Sequence, residues 1–146
     1  MAFFSEANIP TAHPIADSQN EYIRILNGKP AALVKRLNGV SIDIANVKQC
    51  QEIGIQMAKM HLSSKQFKFS REASRNEDWR IQTSKLVMPK LNKDEQALLN
   101  RELNYIKTTK VGDLHTSVIH ADLFRDNALF IDDEVTGIID FYYAYN

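Results

Sequence analysis

The sequence has little of several features, and each shortage excludes a class of protein. Cys50 is the only cysteine, so no internal disulfide can form and a cytoplasmic location is expected. Basic and acidic side chains number 18 each, so zero net charge favours neither a nucleic-acid partner nor an anionic membrane surface. No apolar run approaches the roughly 20 residues of a membrane span, and the start of the chain lacks a signal peptide's basic flank and apolar core.

A β-ribbon is predicted near the beginning of this 146-residue chain. Residues 1–10 resemble the last turns of a helix. Residues 21–26, EYIRIL, alternate apolar and polar side chains, and 29–37, KPAALVKRL, form a second strand candidate. Asn27-Gly28 between them is a strong signal for a two-residue hairpin. The sequence therefore predicts a two-stranded ribbon, which is marginally stable by itself.

Three helices are predicted from the patterns at their ends. Asn46 with Gln49, and Asn92 with Glu95, form capping boxes, in which each side chain bonds the other residue's backbone N–H. Pro89 ends the middle helix. The predicted helices span about 47–64, 77–87 and 93–107.

The first of these helices carries an apolar stripe that we interpret as core. Val47, Cys50, Ile53, Met57 and Met60 recur at helical spacing. Methionine fills irregular gaps in cores, and a free cysteine behaves as a small hydrophobic residue. We therefore expect these methionines in the core and Cys50 as a buried structural thiol.

The last 30 residues are β-like. Strand candidates are TSVI at 116–119, ALFI at 128–131 and VTGIID at 135–140. Asp132, Asp133 and Glu134 between the last two are read as a solvated turn, with a second metal cluster as the alternative. The other histidines, His13, His61 and His115, show no ligand spacing and are read as surface or core residues. The predicted fold class is α+β.

Polar residues gather around this last hairpin. His120, Asp122 and Asn127 lie in the loop HADLFRDN before it, and Asp140 follows it. Because a hairpin brings its two ends together, Asn127 and Asp140 should lie close to each other. An amide and a carboxylate oxygen suit Mg²⁺, which completes its shell with phosphates. Asp122 could then face an attacking hydroxyl and accept its proton, the arrangement that phosphoryl transfer requires.

The spacing H-x-D-x-x-x-x-N, an apolar hairpin and Asp-Phe resembles the protein-kinase pattern. Tyr142 stands where that pattern has its last glycine. The run VIHADLFRDNALF…GIIDFYYA is more similar to the aminoglycoside-phosphotransferase family, and within it to the bacterial homoserine kinases. GKPAALVKRLNG and NVKQCQEIGIQMAKMHL resemble the same family, so the resemblance covers the chain from about Ile9 onward.

This resemblance implies the fold, the reaction and the site residues. The reaction is ATP-dependent phosphorylation of the homoserine hydroxyl in threonine biosynthesis. Asp122 would be the catalytic base, His120 would brace the catalytic loop, and Asn127 with Asp140 would hold Mg²⁺. The hinge that pairs with adenine would be formed by the backbone of Val34, Lys35, Arg36 and Leu37.

Arg125 has two open readings, a salt bridge to a neighbouring acid or a phosphate contact. Lys35 ends ALVK but is not read as the phosphate-binding lysine of V-A-I-K, since no glycine precedes Gly28 and a Gly-rich loop is required one strand earlier. The resemblance places the Gly-rich loop, lysine and partner glutamate upstream of Met1.

The chain is therefore expected to be an internal fragment of a kinase-like fold, inactive by itself. Residues 1–37 would be a remnant of the N-terminal β lobe with the hinge, and 38–146 a truncated, mainly helical C-terminal lobe. Alternative acceptors are choline, an aminoglycoside or a sugar. A non-enzymatic alternative is a truncated remnant that binds a nucleotide or another chain.

Overall fold

The computed structural model describes residues 1–109, 112 and 116–146, which divide into two compact units. The first unit is formed by Met1–Arg71 with Ser117–Asn146, and the second by Glu72–Thr116. Helices and two small antiparallel sheets confirm the predicted α+β class. None of the helices described is both long and apolar enough to span a bilayer.

The predicted ribbon is present in the first unit but is shorter than the sequence indicated. After helix α1 (Ala2–Glu6), strand β1 (Arg24–Leu26) pairs with β2 (Lys29–Ala31). Asn27 and Gly28, at φ of 50° and 75°, form the left-handed two-residue turn that Asn-Gly favours. Strand β2 ends at Ala31, although a single bridge follows, in which Val34 pairs with Pro14.

Helix α2 (Val47–Ser64) begins at the predicted capping box, in which Asn46 and Gln49 exchange two hydrogen bonds of 3.0 Å. The prediction for its buried face is partly wrong. Met60 is 1% exposed, but Met57 is 40% and Val47 is 84% exposed.

Cys50 is also exposed, so the expected buried thiol is not present. The buried positions of α2 are Gln56, Met60 and Ser64, which recur every four residues. This row is turned away from Cys50 around the helix axis. Contact with the C-terminal hairpin therefore selects a face that shares Ile53 and Met60 with the predicted stripe but leaves Val47, Cys50 and Met57 exposed.

The C-terminal hairpin is the centre of the first unit's core. Strands β3 (Ala128–Ile131) and β4 (Glu134–Ile138) are antiparallel, with a register shift between Leu129 and Phe130. Ile138 is fully buried, and Phe130 is 5% exposed. They belong to one buried apolar cluster with Phe4, Ile9, Met60, Val118, Ala128 and Val135.

The predicted strand at 116–119 is wrong. Of these residues only Ile119 pairs, through hydrogen bonds of 2.9 and 3.3 Å with Tyr145. A single bridge does not make a strand, so the segment enters the loop at residues 120–127 as irregular backbone.

The acidic turn of the hairpin docks on the N-terminus of α2. Asn46 Nδ2 donates to Asp133 Oδ1 at 2.8 Å, and Lys48 Nζ lies 3.4 Å from Asp133 Oδ2. Gln49 Nε2 donates to the Asp132 carbonyl at 2.9 Å. The Asn46 hydrogen bond, helped by Lys48, holds the pKa of Asp133 below its ordinary value of 3.8. The turn is therefore a structural clamp on α2.

The second unit is a helical pair. Helix α3 (Glu77–Val87) is followed by a 3-10 turn (Met88–Lys90) and by α4 (Lys93–Thr108), as the capping residues and Pro89 predicted. Gln96 Nε2 ties the connection to α4 by donating to the carbonyls of Met88 and Leu91, at 3.2 and 2.9 Å. His115 lies outside the described residues.

Candidate active site

His120 connects the loop at residues 120–127 to the backbone that precedes Asp140. Its side chain is 4% exposed, and Nε2 lies 2.8 Å from the Ile139 carbonyl oxygen. The Asp122 N–H donates to Nδ1 at 3.3 Å. A carbonyl only accepts and an N–H only donates, so these contacts select the tautomer with its hydrogen on Nε2. The ring also packs on Phe141, with 4.5 Å between centroids.

The backbone bends sharply around Asp122. Ala121, just before it, has a φ of 64°, and the Phe124 N–H donates to the Asp122 carbonyl at 2.9 Å. A left-handed alanine is strained, and such strain concentrates at functional sites. The loop is therefore held in a conformation that the sequence alone does not favour.

Asn127 ends the loop in a 3-10 turn and is 9% exposed. Its Nδ2 donates to the Asp122 carbonyl at 2.8 Å, which fixes the orientation of the amide. The amide oxygen is then the atom of Asn127 suited to bind a cation. The base candidate and the amide are thus held together by a direct hydrogen bond.

Asp140 lies at the open end of the same hairpin. The Ile139 N–H donates to the Asn127 carbonyl at 3.0 Å, so the residue before Asp140 is bonded directly to Asn127. Asp140 is exposed and left-handed, at φ 60° and ψ 63°, and its Oδ1 accepts from the Tyr142 N–H at 3.3 Å. The predicted approach of the two hairpin ends is therefore present in the backbone.

The donor set around this open end fits a magnesium ion. It offers an amide oxygen from Asn127 and a carboxylate from Asp140, both hard oxygen donors. In the part of the chain that the structure describes, no three His, Cys, Asp or Glu side chains gather as a metal cluster. Mg²⁺ typically takes one or two protein carboxylates and completes its shell with phosphates and water, so few protein ligands are what this ion requires.

The predicted hinge runs as extended backbone beside residues 13–15. The Lys35 N–H donates to the His13 carbonyl at 2.9 Å, and the Ile15 N–H donates to the Leu33 carbonyl at 2.8 Å. Peptide groups alternate in direction along an extended chain, so those of Val34 and Arg36 face the opposite side. In the predicted role, that side would present the backbone donors and acceptors that an adenine edge needs.

The end of the hinge packs on the hairpin that leads to Asp140. A methyl carbon of Leu37 lies 2.9 Å from the point where a Cβ on Gly137 would stand, so a side chain at this position would have to displace Leu37. Gly39, at a φ of +113°, makes a similar close approach to the Phe130 carbonyl. The hinge and the metal-ligand candidates therefore border the same strand pair.

The whole chain, residues 1–146, matches the phosphotransferase enzyme family, APH. It belongs to that family. A homoserine kinase of Methylobacillus flagellatus is 41% identical over 144 residues, which are 99% of this chain and 45% of that relative. One of Neisseria meningitidis serogroup B is 36% identical over 151 residues, covering 99% of this chain and 50% of that relative. The chain thus spans about half the length of the curated relatives it matches.

A solved phosphotransferase structure confirms the fold. Amicoumacin kinase in complex with AMP-PNP, Ca²⁺ and Ami aligns with a TM-score of 0.71, at 16% identity, over 98% of this chain and 46% of that one. At this identity the likeness concerns the fold alone. The predicted kinase-like fold, present in part, is therefore confirmed.

The structure brings the predicted loop and hairpin residues together, and it contradicts one of the two alternatives left open for Arg125. Its guanidinium donates to the backbone carbonyl of Asp43. Among the described residues it forms no ion pair with an acidic side chain, so the salt-bridge reading is wrong and the phosphate contact remains untested.

Several residues that shape this candidate site were missed in the sequence. Gly39 and Gly137 allow the hinge segment and the hairpin to approach closely. Their signal was present, because glycine within a strand pattern often marks a close approach. The contact of Asp43 with Arg125 could not be predicted from a local pattern, because the two residues are 82 positions apart in the sequence.

Proposed function

We propose that the whole protein is a homoserine kinase, which transfers the γ-phosphoryl group of ATP to the hydroxyl of L-homoserine in the cytoplasm. The observation that carries this proposal is a pair of hydrogen bonds that links the backbone segments of Asp122, Asn127 and Asp140. The side-chain amide of Asn127 donates to the carbonyl of Asp122. The N–H of Ile139, the residue just before Asp140, donates to the carbonyl of Asn127. The names of the relatives, at 36% and 41% identity, support the acceptor.

In this proposal Asp122 orients the acceptor hydroxyl and accepts its proton as the oxygen attacks phosphorus. His120 positions both halves of the site, since it contacts the Asp122 N–H and the Ile139 carbonyl. Asn127 and Asp140 would hold Mg²⁺, and the backbone of Val34–Leu37 would bind adenine. When bound, Mg²⁺ neutralises the charge on the transferring phosphates.

The division into a β lobe with hinge at residues 1–37 and a helical lobe at 38–146 belongs to the same proposal. It rests on the packing of Leu37 against Gly137, where the hinge meets the hairpin. The use of a nucleotide and a divalent ion is supported by the fold neighbour, which was solved with AMP-PNP and Ca²⁺. A small-molecule alcohol is the expected partner.

One observation favours a second class of acceptor, which an aminoglycoside represents in the test: the fold neighbour is named as an amicoumacin kinase. The test is to incubate the whole protein with ATP and Mg²⁺ and, in parallel, L-homoserine, choline, an aminoglycoside or a sugar. Phosphorus NMR identifies the phosphorylated product. Phosphohomoserine as the main product supports the proposal, whereas a phosphorylated aminoglycoside with unreacted homoserine overturns the acceptor.

The role of Asp122 is tested in the same assay. Asp122→Asn keeps the size of the side chain but removes the base, and we expect kcat to fall by about 10²- to 10⁴-fold. The KM for ATP should stay within about twofold, because Asp122 does not bind the nucleotide. Loss of ATP binding with unchanged kcat would contradict the assignment, and no phosphorylation of any acceptor by the unmodified whole protein would favour a binding remnant.

A further inference from the structure

The loop after Asp122 borders a polar cavity that the proposed mechanism does not use. The cavity has a volume of about 340 Å³ and lies between the segment after the hinge and the catalytic loop. It is lined by Ser41, Ile42, Asp43, Phe124, Arg125 and Asp126. Its volume is at the lower end of the range of small-molecule sites, roughly 300–1,000 Å³, and it is open to solvent, since all of its lining residues except Ile42 are exposed.

We propose that this cavity binds the α-amino-acid head group of the acceptor. Arg125 would bind the α-carboxylate, and the carboxylates of Asp43 and Asp126 would accept hydrogen bonds from the α-ammonium. This inference rests on the proposed function, because it assigns specificity residues to the same site. It names residues that distinguish an amino-acid acceptor from a neutral alcohol.

The charge pattern favours a zwitterion over an anion or a cation. Arg125 lies in one cavity with two acids, Asp43 and Asp126. A phosphate group would gain one cationic partner but meet two like charges, and a metal ion would meet the guanidinium. An ammonium and a carboxylate on one carbon satisfy both signs at once.

The guanidinium is already oriented for this role. One Arg125 nitrogen, Nη1, donates to the Asp43 carbonyl. Guanidinium carries five N–H donors in a fixed planar fork, so a bond through Nη1 leaves donors for a carboxylate and limits rotation of the group. A fork held in this way loses less entropy when it binds its ligand.

The distance along the chain also fits the acceptor. The cavity begins at Phe124, whose N–H donates to the Asp122 carbonyl at 2.9 Å. In homoserine the hydroxyl oxygen and the carboxyl carbon are about 5 Å apart in an extended chain, by ordinary bond lengths. In this inference the hydroxyl extends from Arg125 toward Asp122, which lines the neighbouring cavity together with Ala121 and Leu123.

The experiment removes charge from the protein and from the acceptor in turn. The whole protein and its Arg125→Met variant are assayed with L-homoserine and with L-homoserinamide, which has no carboxylate. We expect Arg125→Met to lower kcat/KM for homoserine by about 10- to 100-fold and to change the value for homoserinamide by less than about threefold. The KM for ATP should not change.

Two further variants complete the test. Arg101→Met is the matched control, since Arg101 is an exposed arginine of α4 in the other compact unit, paired with Glu102. This variant should leave kcat/KM for homoserine and for homoserinamide unchanged. Asp43→Asn and Asp126→Asn should lower kcat/KM for homoserine but not for 4-hydroxybutyrate, which lacks the ammonium.

The failures are distinguishable. If the whole protein phosphorylates homoserine but Arg125→Met affects both acceptors equally, or raises the KM for ATP instead, the inference is overturned and the proposed function stands. If neither aspartate variant alters the ratio of homoserine to 4-hydroxybutyrate, the ammonium site is overturned. If the unmodified protein neither binds nor phosphorylates homoserine, the proposed function and the inference both fail.

Discussion

His120 Nε2 lies 2.8 Å from the carbonyl oxygen of Ile139 and thereby joins the loop at residues 120–127 to the peptide that precedes Asp140. The same ring accepts the Asp122 N–H through Nδ1 and packs on Phe141. One buried side chain therefore sets the relative position of the proposed base and the proposed metal ligand. Four predictions follow from this arrangement and from the parts that support it.

Removing the His120 bond to Ile139 should separate the two halves of the site. His120→Leu leaves the partly buried Ile139 carbonyl without its donor, so we expect the free energy of unfolding to fall by about 1–3 kcal/mol and kcat to fall with it. His120→Gln places an amide nitrogen near the position of Nε2 and should recover part of both. Urea unfolding and steady-state kinetics on the whole protein measure these effects. Equal losses in both variants would show that ring packing, and not the hydrogen bond, sets the position.

Asp140→Asn should weaken the response to magnesium. The amide retains the left-handed backbone that Asp140 adopts, since asparagine tolerates this region, but it loses the charge that binds the cation. We expect the Mg²⁺ concentration for half-maximal activity to rise at least about tenfold.

The control for Asp140 is Asp132→Asn, at the other end of the same hairpin. Asp132 is also a left-handed aspartate, with a φ of 53°, and its backbone carbonyl rather than its carboxylate contacts α2. Its Mg²⁺ dependence should match that of the unmodified protein. If both variants shift the Mg²⁺ requirement alike, the effect comes from hairpin stability and Asp140 is not a ligand.

Ala121→Gly should stabilise the protein. Ala121 has a φ of 64°, where an L-residue is strained by roughly 1–2 kcal/mol, while glycine loses about 0.5–1 kcal/mol of chain entropy. We expect the free energy of unfolding to rise by about 0.5–1 kcal/mol in urea titrations. Ala128→Gly, at an extended φ of −121°, is the opposite case and should destabilise. A destabilised Ala121→Gly would mean that the alanine methyl makes contacts worth more than the strain.

The clamp between the hairpin turn and α2 should weaken in acid. The pKa of Asp133 is held below its ordinary value of 3.8, chiefly by the Asn46 hydrogen bond and secondarily by Lys48. A depressed pKa stabilises the folded state above the unfolded value and loses that effect as pH falls through the folded value.

The measurement for this clamp is the difference in unfolding free energy between the unmodified protein and Asp133→Asn. It should stay constant above pH 3.8 and shrink below it. Lys48→Met tests the smaller contribution of Lys48 to the lowered pKa of Asp133 and should reduce the difference in unfolding free energy only slightly. A difference that grows as pH falls would contradict the sign of the shift.

Local patterns predicted the parts of this chain whose causes are local. Helix α2 begins at Asn46 because its capping box satisfies the first free N–H groups, and the turn at Asn27-Gly28 forms because both residues adopt a positive φ readily. The spacing of His120 and Asp122 was readable for the same reason. The strand predicted at 116–119 failed because, within the described part of the chain, it pairs only once, through Ile119 with the distant Tyr145.

By itself, the sequence determined the helices, the two hairpin turns, the family and the order of the candidate site residues along the loop. The tertiary structure decided which face of α2 is buried, why Cys50 is exposed, and how His120, Asn127 and Ile139 lock the loop to the hairpin. The physical reason is range: caps and turns depend on hydrogen bonds within a few residues. Burial and the site geometry instead depend on contacts between distant segments, such as the Asp43 carbonyl with Arg125 or Leu37 with Gly137.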